Sequence, residues 1–491
     1  MEFTRPPWTP LELPSPEQRF VVASGGQVED RDPTTQAVVA LIRTATAADV
    51  DTAVRRASAA FVGARWRNDG ALRTRVLLRF AQRLREHAGD LAILLTREQG
   101  KTIGEARSEL AGSADMVEYY AGLARAVYGR SMALGDTAHG VILREPAGVV
   151  AVITPWNWPL TLLMRSLAPA LAAGNACVVK PASLTAAITI AALALLAEDP
   201  ELPDGILACL PGPGGEIGDA LTGHPEVDMI AFTGDSVTGA QVMRTAAAGA
   251  KKVSLELGGK SPNIVFADAR LEKALDGAMN AIFTTSGQIC TAGSRLLVED
   301  SIYDEFTGEL AKRAAALIPG DPLDPNTTLA PLVSPGQAKT VAGYIEAGRA
   351  EGTLLAGGTP LTGGILDAGN FVAATIIADL PPDSPVVREE VFGPVLTVHR
   401  FADEGEAIRL AEDTEFGLAA GVWTRDLDRA WRVGRAVRSG TIWINTYHHF
   451  YPEAEVGGFR SSGLGRQQGI DGLLEYTETK HLNFDSAESL W

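Results

Sequence analysis

Gly148-Val149-Val150-Ala151-Val152-Ile153 is a short, wholly apolar run. A run of this length with no polar alternation reads as a parallel strand buried on both faces. It ends in Thr154-Pro155-Trp156-Asn157, and a helical segment follows from Leu160 to Ala172. The pattern then repeats. A second strand, Ala176-Cys177-Val178-Val179-Lys180, precedes a helix from Thr185 to Ala197. A third, Ile206 to Leu210, precedes a helix after Gly214-Gly215, and a fourth, Asp228 to Phe232, precedes one after Gly234. This βαβα series predicts an α/β protein with a doubly wound parallel sheet. Ligands of such sheets bind at the carboxyl ends of the strands. Those ends are Thr154–Asn157, Lys180–Ser183, Pro211–Gly214 and Thr233–Ser236.

Upstream, residues 1–20 are proline-rich and read as an extended arm, followed by a strand from Phe20 to Val28. A helix is predicted from Thr46 to Ala60, with Thr46 or Asp49 as its cap. Arg73 to Glu98 reads as one long amphipathic helical region. Leu77, Leu78, Phe80, Ala81 and Leu84 face inward, and Arg75, Arg79, Arg83 and Arg85 face an acidic, solvated surface. Ser108 to Tyr128 reads as another helix. After Gly258-Gly259 a second α/β region opens. It has strands at Ser261–Phe266, Ser294–Glu299, Phe392–Arg400, Ala419–Thr424 and Thr441–Asn445. Its helices are Leu271–Phe283, Ser301–Ala316, Glu404–Glu412 and Leu427–Val437.

The length of 491 residues suits about three domains, and 46% hydrophobic with 21% charged residues is ordinary globular composition. With 43 Lys+Arg against 60 Asp+Glu, the net charge of -17 disfavours nucleic acid or an anionic membrane as partner. No apolar run is long enough to span a membrane, and Met1–Pro7 lacks a signal-peptide pattern. Three cysteines make no disulfide framework, so a cytoplasmic setting is expected. No metal is expected: of seven histidines only His448 and His449 adjoin, and sequence neighbours do not face one site.

Cys177 and Cys209 lie in apolar strands, whereas Cys290 sits among small and polar residues from Phe283 to Arg295. That composition alone leaves Cys290 open between a nucleophile and a packing role. Asn157, between Trp156 and Trp158, is either part of a rigid aromatic turn or an amide donor to a developing oxyanion. Glu256, between two leucines and followed by Gly258-Gly259, is either ion-paired or a general base whose pKa an apolar cleft would raise. In Phe232-Thr233-Gly234-Asp235-Ser236, the free N–H groups of a helix start could hold a phosphate, with Asp235 alternatively a plain N-cap.

Together these residues resemble the aldehyde dehydrogenase superfamily. The resembling stretches are Thr154–Pro159, Lys180–Ser183, Phe232–Gly239, Glu256–Pro262, Gly287–Cys290, Glu389–Pro394 and Gly457–Arg466, running in the family's order from about residue 20 onward. The resemblance implies a thiol mechanism with NAD or NADP. Cys290 would attack the aldehyde, Asn157 would hold the oxyanion, and Glu256 would activate water. The cofactor would lie on Ile153, Thr154, Pro155, Trp156, Lys180, Ser183, Gly214, Phe232, Thr233, Gly234, Asp235, Leu257, Gly258, Glu390 and Phe392. The family fold implies a Rossmann-type cofactor domain (1–126 and 146–257) and a catalytic domain (258–457). It also implies a small β arm (127–145 and 472–491) that joins subunits into a homodimer or homotetramer.

Two departures from the family pattern carry consequences. Ser183 stands where NAD-preferring members often carry Glu, so NADP is expected to be accepted. Asp235 would repel a pyrophosphate and is expected to turn away as a helix cap. The family's substrate tunnel maps to Trp158, Leu162, Arg165, Ile289, Thr291, Tyr447 and Phe450. This aromatic-rich set suits an aromatic or medium hydrophobic aldehyde, and Met164–Pro169 is similar to the benzaldehyde and vanillin dehydrogenase branch. Arg165 permits a semialdehyde, and Glu453 and Glu455 beside the aromatic cluster permit an amino-aldehyde. Glu256 argues against a CoA-acylating relative, which needs no water-activating base. Retention of Cys290, Asn157, Glu256 and Glu390 argues against a non-catalytic protein.

Overall fold

The computed structural model describes residues 11–13, 19–63 and 65–485. The first sheet has six strands, in the order Gly463–Leu464, Lys252–Glu256, Met229–Thr233, Val149–Ile153, Ala176–Lys180 and Leu207–Cys209. All pairings are parallel except that of Gly463–Leu464. The chain winds outward from Val149–Ile153 in one direction, then restarts beside it with Met229–Thr233. The crevice between these two strand ends is the switch point at which such sheets bind ligands. Every residue of both strands is buried, because helices cover both faces. The expected helices are Pro159–Ala173, Ala186–Ala197, Gly214–Gly223 and Ser236–Ala248.

The second sheet has seven strands, in the order Thr353–Ala356, Thr375–Ala378, Val395–Phe401, Arg295–Glu299, Pro262–Val265, Ala419–Trp423 and Thr441–Ile444. Only the first pairing is antiparallel. A three-stranded antiparallel sheet joins Thr477–Asp485, Ala138–Pro146 and Arg130–Ala133. Among the described residues no helix is long and apolar enough to cross a membrane, and no cluster of three metal-ligating side chains exists.

Several expectations need correction. The strand expected at Phe20–Val28 is a single bridge at Val21, with strands at Gln27–Arg31 and Val38–Arg43 instead; Ser24-Gly25-Gly26 bends the chain before it can pair. Arg73–Glu98 is two helices, Gly70–Glu86 and Ala88–Gln99, broken at His87. Leu78 is 43% exposed, because the buried stripe runs through Leu77, Phe80, Ala81 and Leu84. The arginines do meet acids, with Arg79 on Asp199 and Glu201 and Arg85 on Asp115 and Glu118. Helix Pro335–Glu351 was not foreseen. Most of the proline-rich arm, and residues 486–491 of the C-terminal tail, lie outside the described residues.

Asn175 ties three parts of the first body together. Its side chain accepts from Gly148 N and donates to Ala170 O and Tyr476 O at 2.9–3.0 Å, fully buried. It thereby joins the start of the central strand, the end of helix Pro159–Ala173 and the chain after helix Gly469–Glu475. Leaving such buried groups unpaired costs about 1–3 kcal/mol. Asn175→Ala is therefore expected to lower the urea unfolding midpoint by that stability, and an unchanged midpoint would show that water replaces all three bonds.

Candidate active site

Cys290 is delivered by a loop with unusual backbone geometry. Helix Leu271–Phe283 is followed by Thr285, Ser286 and Gly287 with φ of 49°, 52° and 75°. Left-handed backbone at two non-glycine residues persists only where the surroundings over-determine it. Here Glu105 accepts from the Thr285 N–H and hydroxyl. Ser286 Oγ donates to Ala330 O at 2.6 Å, and Gln288 bridges Thr285 O and Val333 N. Tyr447 Oη donates to Thr291 O at 3.0 Å on the far side of the cysteine. Gly259 has no room for a side chain, since a Cβ would stand 2.5 Å from Cys290 O.

The turn bearing Asn157 and Trp158 is fixed from the same helix that fixes the cysteine loop. Glu109, one turn after Glu105 on helix Ile103–Leu123, accepts from the N–H groups of Leu160 and Thr161 at the start of helix Pro159–Ala173. Its other oxygen takes the ammonium of Lys101 in a fully buried pair. Lys101 Nζ also lies 3.8 Å from the centre of the Trp158 ring. Asn157 Nδ2 donates to Gln288 O at 2.9 Å. An amide nitrogen carries two donors, so one N–H remains for another acceptor.

Two cavities flank the cysteine. One, of about 570 Å³, is lined by Trp158, Leu162, Arg165, Ile289, Thr291, Tyr447 and Phe450, which are all seven residues expected to contact substrate. The other, of about 490 Å³, lies at the switch point. All fifteen residues expected to hold a cofactor line it: Ile153 to Trp156, Lys180, Ser183, Gly214, Phe232 to Asp235, Leu257, Gly258, Glu390 and Phe392. The residues lining both are Asn157, Leu162, Glu256 and Cys290. The three expected catalytic side chains thus stand where the cavities meet.

Residues 20–482 match the aldehyde dehydrogenase family model. The chain belongs to the aldehyde dehydrogenase family. It is an oxidoreductase acting on aldehydes. A betaine aldehyde dehydrogenase from Bacillus subtilis (strain 168) is 42% identical over 455 residues, covering 92% of each chain. The crystal structure of a betaine aldehyde dehydrogenase from Staphylococcus aureus in complex with NAD+ superposes with a TM-score of 0.92 at 36% identity, covering 94% of this chain and 91% of that one. A variant of aldehyde dehydrogenase from Bacillus cereus gives 0.93 at 36% identity, with 96% of each chain covered.

The site of this aldehyde dehydrogenase is electrostatically uneven. Burial raises the Cys290 thiol to about 12; the Arg165 guanidinium opposes that, while Glu390 and Glu256 reinforce it. Burial also raises Glu256, against the pull of Arg165 and Arg466. Arg165 Nη2 stands 3.9 Å from Glu256 Oε2, with both side chains buried. Glu390 accepts from Gly259 N at 3.1 Å, and burial lifts it to about 7. Lys180 donates to the carbonyls of Pro181 and Gly212, Ser183 donates to Gly212 O, and burial lowers Lys180 to about 8. Asp235 turns its carboxylate onto Thr238 N and Oγ1, capping helix Ser236–Ala248. Phe392 has φ of 55° and meets Trp156 edge-on at 5.2 Å; Gln337 Nε2 holds its carbonyl at 2.9 Å.

Other expectations are revised. Glu453 and Glu455 do not line the substrate cavity, and Glu455 instead accepts from Ile470 N at the start of helix Gly469–Glu475. His448 and His449 both line it, because a left-handed residue at His448 (φ 58°) turns the chain between them. Lys101, Glu105, Glu109 and Gln337 were missed by sequence reasoning. The Thr102-x-x-Glu105 capping signature was the available signal for one of them.

Removing one member of a buried ion pair costs about 3–5 kcal/mol. Glu109→Ala is therefore expected to lose about that much stability in chemical denaturation and to lower turnover through the freed Asn157 turn. Stability within 1 kcal/mol of the parent would contradict the role of the Lys101–Glu109 pair.

Proposed function

We propose that this enzyme oxidises an aldehyde to its carboxylic acid without acylating CoA, using Cys290 as nucleophile, Asn157 as oxyanion donor and Glu256 as the base that activates water. The observation that carries this reading is the convergence of these three side chains where the two cavities meet. Attack by the Cys290 thiolate on the aldehyde carbon forms a C–S bond and an alkoxide, which the remaining Asn157 N–H stabilises. NAD(P)+, when bound in the switch-point cleft, supplies the acceptor for the hydride that leaves that carbon. Glu256 then takes a proton from water as it attacks the thioester, and Cys290 departs as thiolate.

The cleft suits a dinucleotide by its own chemistry. Lys180 keeps a third N–H donor for the adenosine ribose, Ser183 Oγ, whose proton goes to Gly212 O, offers an acceptor, and the start of helix Ser236–Ala248 offers backbone N–H groups for phosphate. Glu390 offers a carboxylate for the second ribose. Gly258 is needed there, since a Cβ would stand 2.2 Å from Glu390 Oε2. Ser183 leaves no carboxylate to repel a 2′-phosphate, and this supports use of NADP. We read residues 1–126 and 146–257 as the cofactor domain and 258–457 as the catalytic domain. Segment 458–471 belongs with the cofactor domain through its strand on Leu255 and Glu256. The arm of 127–145 and 472–491 would join subunits. The outward-facing strand Thr477–Asp485, with Phe484 53% exposed, supports pairing with a second copy in a homodimer or homotetramer.

For the substrate, Trp158, Leu162, Ile289, Tyr447 and Phe450 support an aromatic or medium hydrophobic aldehyde. The names of the relatives from Bacillus subtilis and Staphylococcus aureus support an amino-aldehyde instead. The guanidinium of Arg165 in the cavity weighs against a cationic substrate and is compatible with a semialdehyde carboxylate.

Reduced-nicotinamide absorbance with benzaldehyde, succinic semialdehyde and betaine aldehyde tests the reading. The highest kcat/KM is expected for benzaldehyde, and no reduction with any aldehyde would overturn the function. Cys290→Ala is expected to abolish turnover while binding cofactor normally. Because burial raises Glu256 above its ordinary value, deacylation should begin to fall at a higher pH than an ordinary glutamate would give as pH drops; a rate flat down to the usual glutamate pKa would contradict its role as base. NADP+ should give a kcat/KM within about tenfold of NAD+, and strict NAD+ preference would sink the inference from Ser183.

A further inference from the structure

Arg165 occupies an unusual position for a buried cation. It lies on helix Pro159–Ala173, whose start is fixed by Glu109, and its side chain is 8% exposed. Its Nε and Nη2 have no hydrogen-bond acceptor, and Glu256 Oε1 has no donor. The 3.9 Å between Arg165 Nη2 and Glu256 Oε2 is too long for a hydrogen bond. What remains between them is the Coulombic pull of the guanidinium on the ionised carboxylate. The same guanidinium lines the cavity that holds Cys290.

We infer that Arg165 is the shared counter-cation of Glu256 and Cys290, a positioning residue that favours the anionic form of both against the effect of their burial. The inference rests on the nucleophile and base roles given above. A guanidinium keeps its charge throughout the working pH range, so it serves as a constant field and not as a proton carrier. The other charged or titratable groups facing this pair do not replace it. Cys290 also faces Glu390 and Glu256, both anionic when ionised, and the phenol of Tyr447. Glu256 also faces Arg466, a weaker influence than Arg165. Arg165 itself faces the phenols of Tyr120 and Tyr476, which burial keeps protonated. His448 lines the cavity, but burial lowers it to about 4, so it is neutral there. Lys101 is occupied by Glu109.

A nearby opposite charge favours the charged form of a titrating group, so deletion of this one should be visible in the behaviour of Cys290. The full-length enzyme, without substrate, is alkylated with iodoacetamide across pH, and the adduct on the Cys290 peptide is followed by mass spectrometry. Cys177 and Cys209 are buried and do not compete. In Arg165→Met the midpoint of the alkylation profile is expected to rise by about one pH unit or more, with rates about tenfold lower on its acid side. Arg165→Lys is expected to stay close to wild type. NAD+ binding by fluorescence establishes that each variant is folded, and Arg165→Gln serves the same purpose as the methionine variant should that one not bind. A neutral variant whose profile coincides with wild type overturns the inference. So does an Arg165→Lys profile displaced as far as that of methionine, because shape and not charge would then be what the site requires. Failure here with Cys290→Ala still inactive would leave the proposed reaction standing, whereas an active Cys290→Ala would remove both.

Discussion

Two carboxylates one helical turn apart, Glu105 and Glu109 on helix Ile103–Leu123, hold the two halves of the site in register. Glu105 grips the left-handed turn that presents Cys290. Glu109 caps the helix that begins just after Asn157. Residues i and i+4 lie on one face of a helix, so a single rigid element sets the nucleophile against its oxyanion donor. Both carboxylates are spent on backbone N–H groups that would otherwise be orphaned, and a charged acceptor makes such bonds stronger than neutral ones. Lys101 completes the arrangement. It neutralises Glu109 and packs on Trp158, so the frame that positions the chemistry also shapes the wall of the substrate cavity.

The remaining parts of the site follow from the two sheets. Strand ends on the first sheet bring Thr154 to Trp156, Thr233 to Asp235 and Glu256 to the switch point. The second body brings Cys290, Glu390 and Phe392 against them. The missing side chains of Gly258 and Gly259 let the two meet closely, because a methyl group at either would collide with the Glu390 side chain or with the cysteine's own carbonyl. The consequence is a charge balance set by burial. The Cys290 thiol, Glu256 and Glu390 are all pushed toward their neutral forms. A reaction that needs a thiolate and a carboxylate therefore depends on nearby positive charge and on charge carried in by ligands.

Most of this was legible in the sequence, and for identifiable reasons. Buried parallel strands such as Ala176–Lys180 are continuous apolar runs, so their bounds could be read to the residue. Helices with strong periodicity, such as Leu271–Phe283 and Glu404–Glu412, were equally plain. Motif residues converge on the cavities because the resemblance runs through the chain from about residue 20 onward. What could not be read was long-range polar pairing. Nothing local marks Glu109 as the cap of a helix fifty residues later, or Asn175 as a three-way tie. His87, which divides two helices, is neither proline nor glycine. Glu453 and Glu455 look like substrate contacts beside an aromatic cluster, yet the fold directs Glu455 to a helix end.

The most direct test of the central claim is to trap the covalent intermediate. Glu256→Gln keeps the shape of the base but cannot take the proton from water. After mixing with NAD+ and benzaldehyde, intact-protein and peptide mass spectrometry should find a stoichiometric benzoyl thioester on the peptide carrying Cys290, stable for far longer than a wild-type turnover. An adduct on Cys177 or Cys209, or reduced nicotinamide released with no acyl group retained on Cys290, would contradict the account.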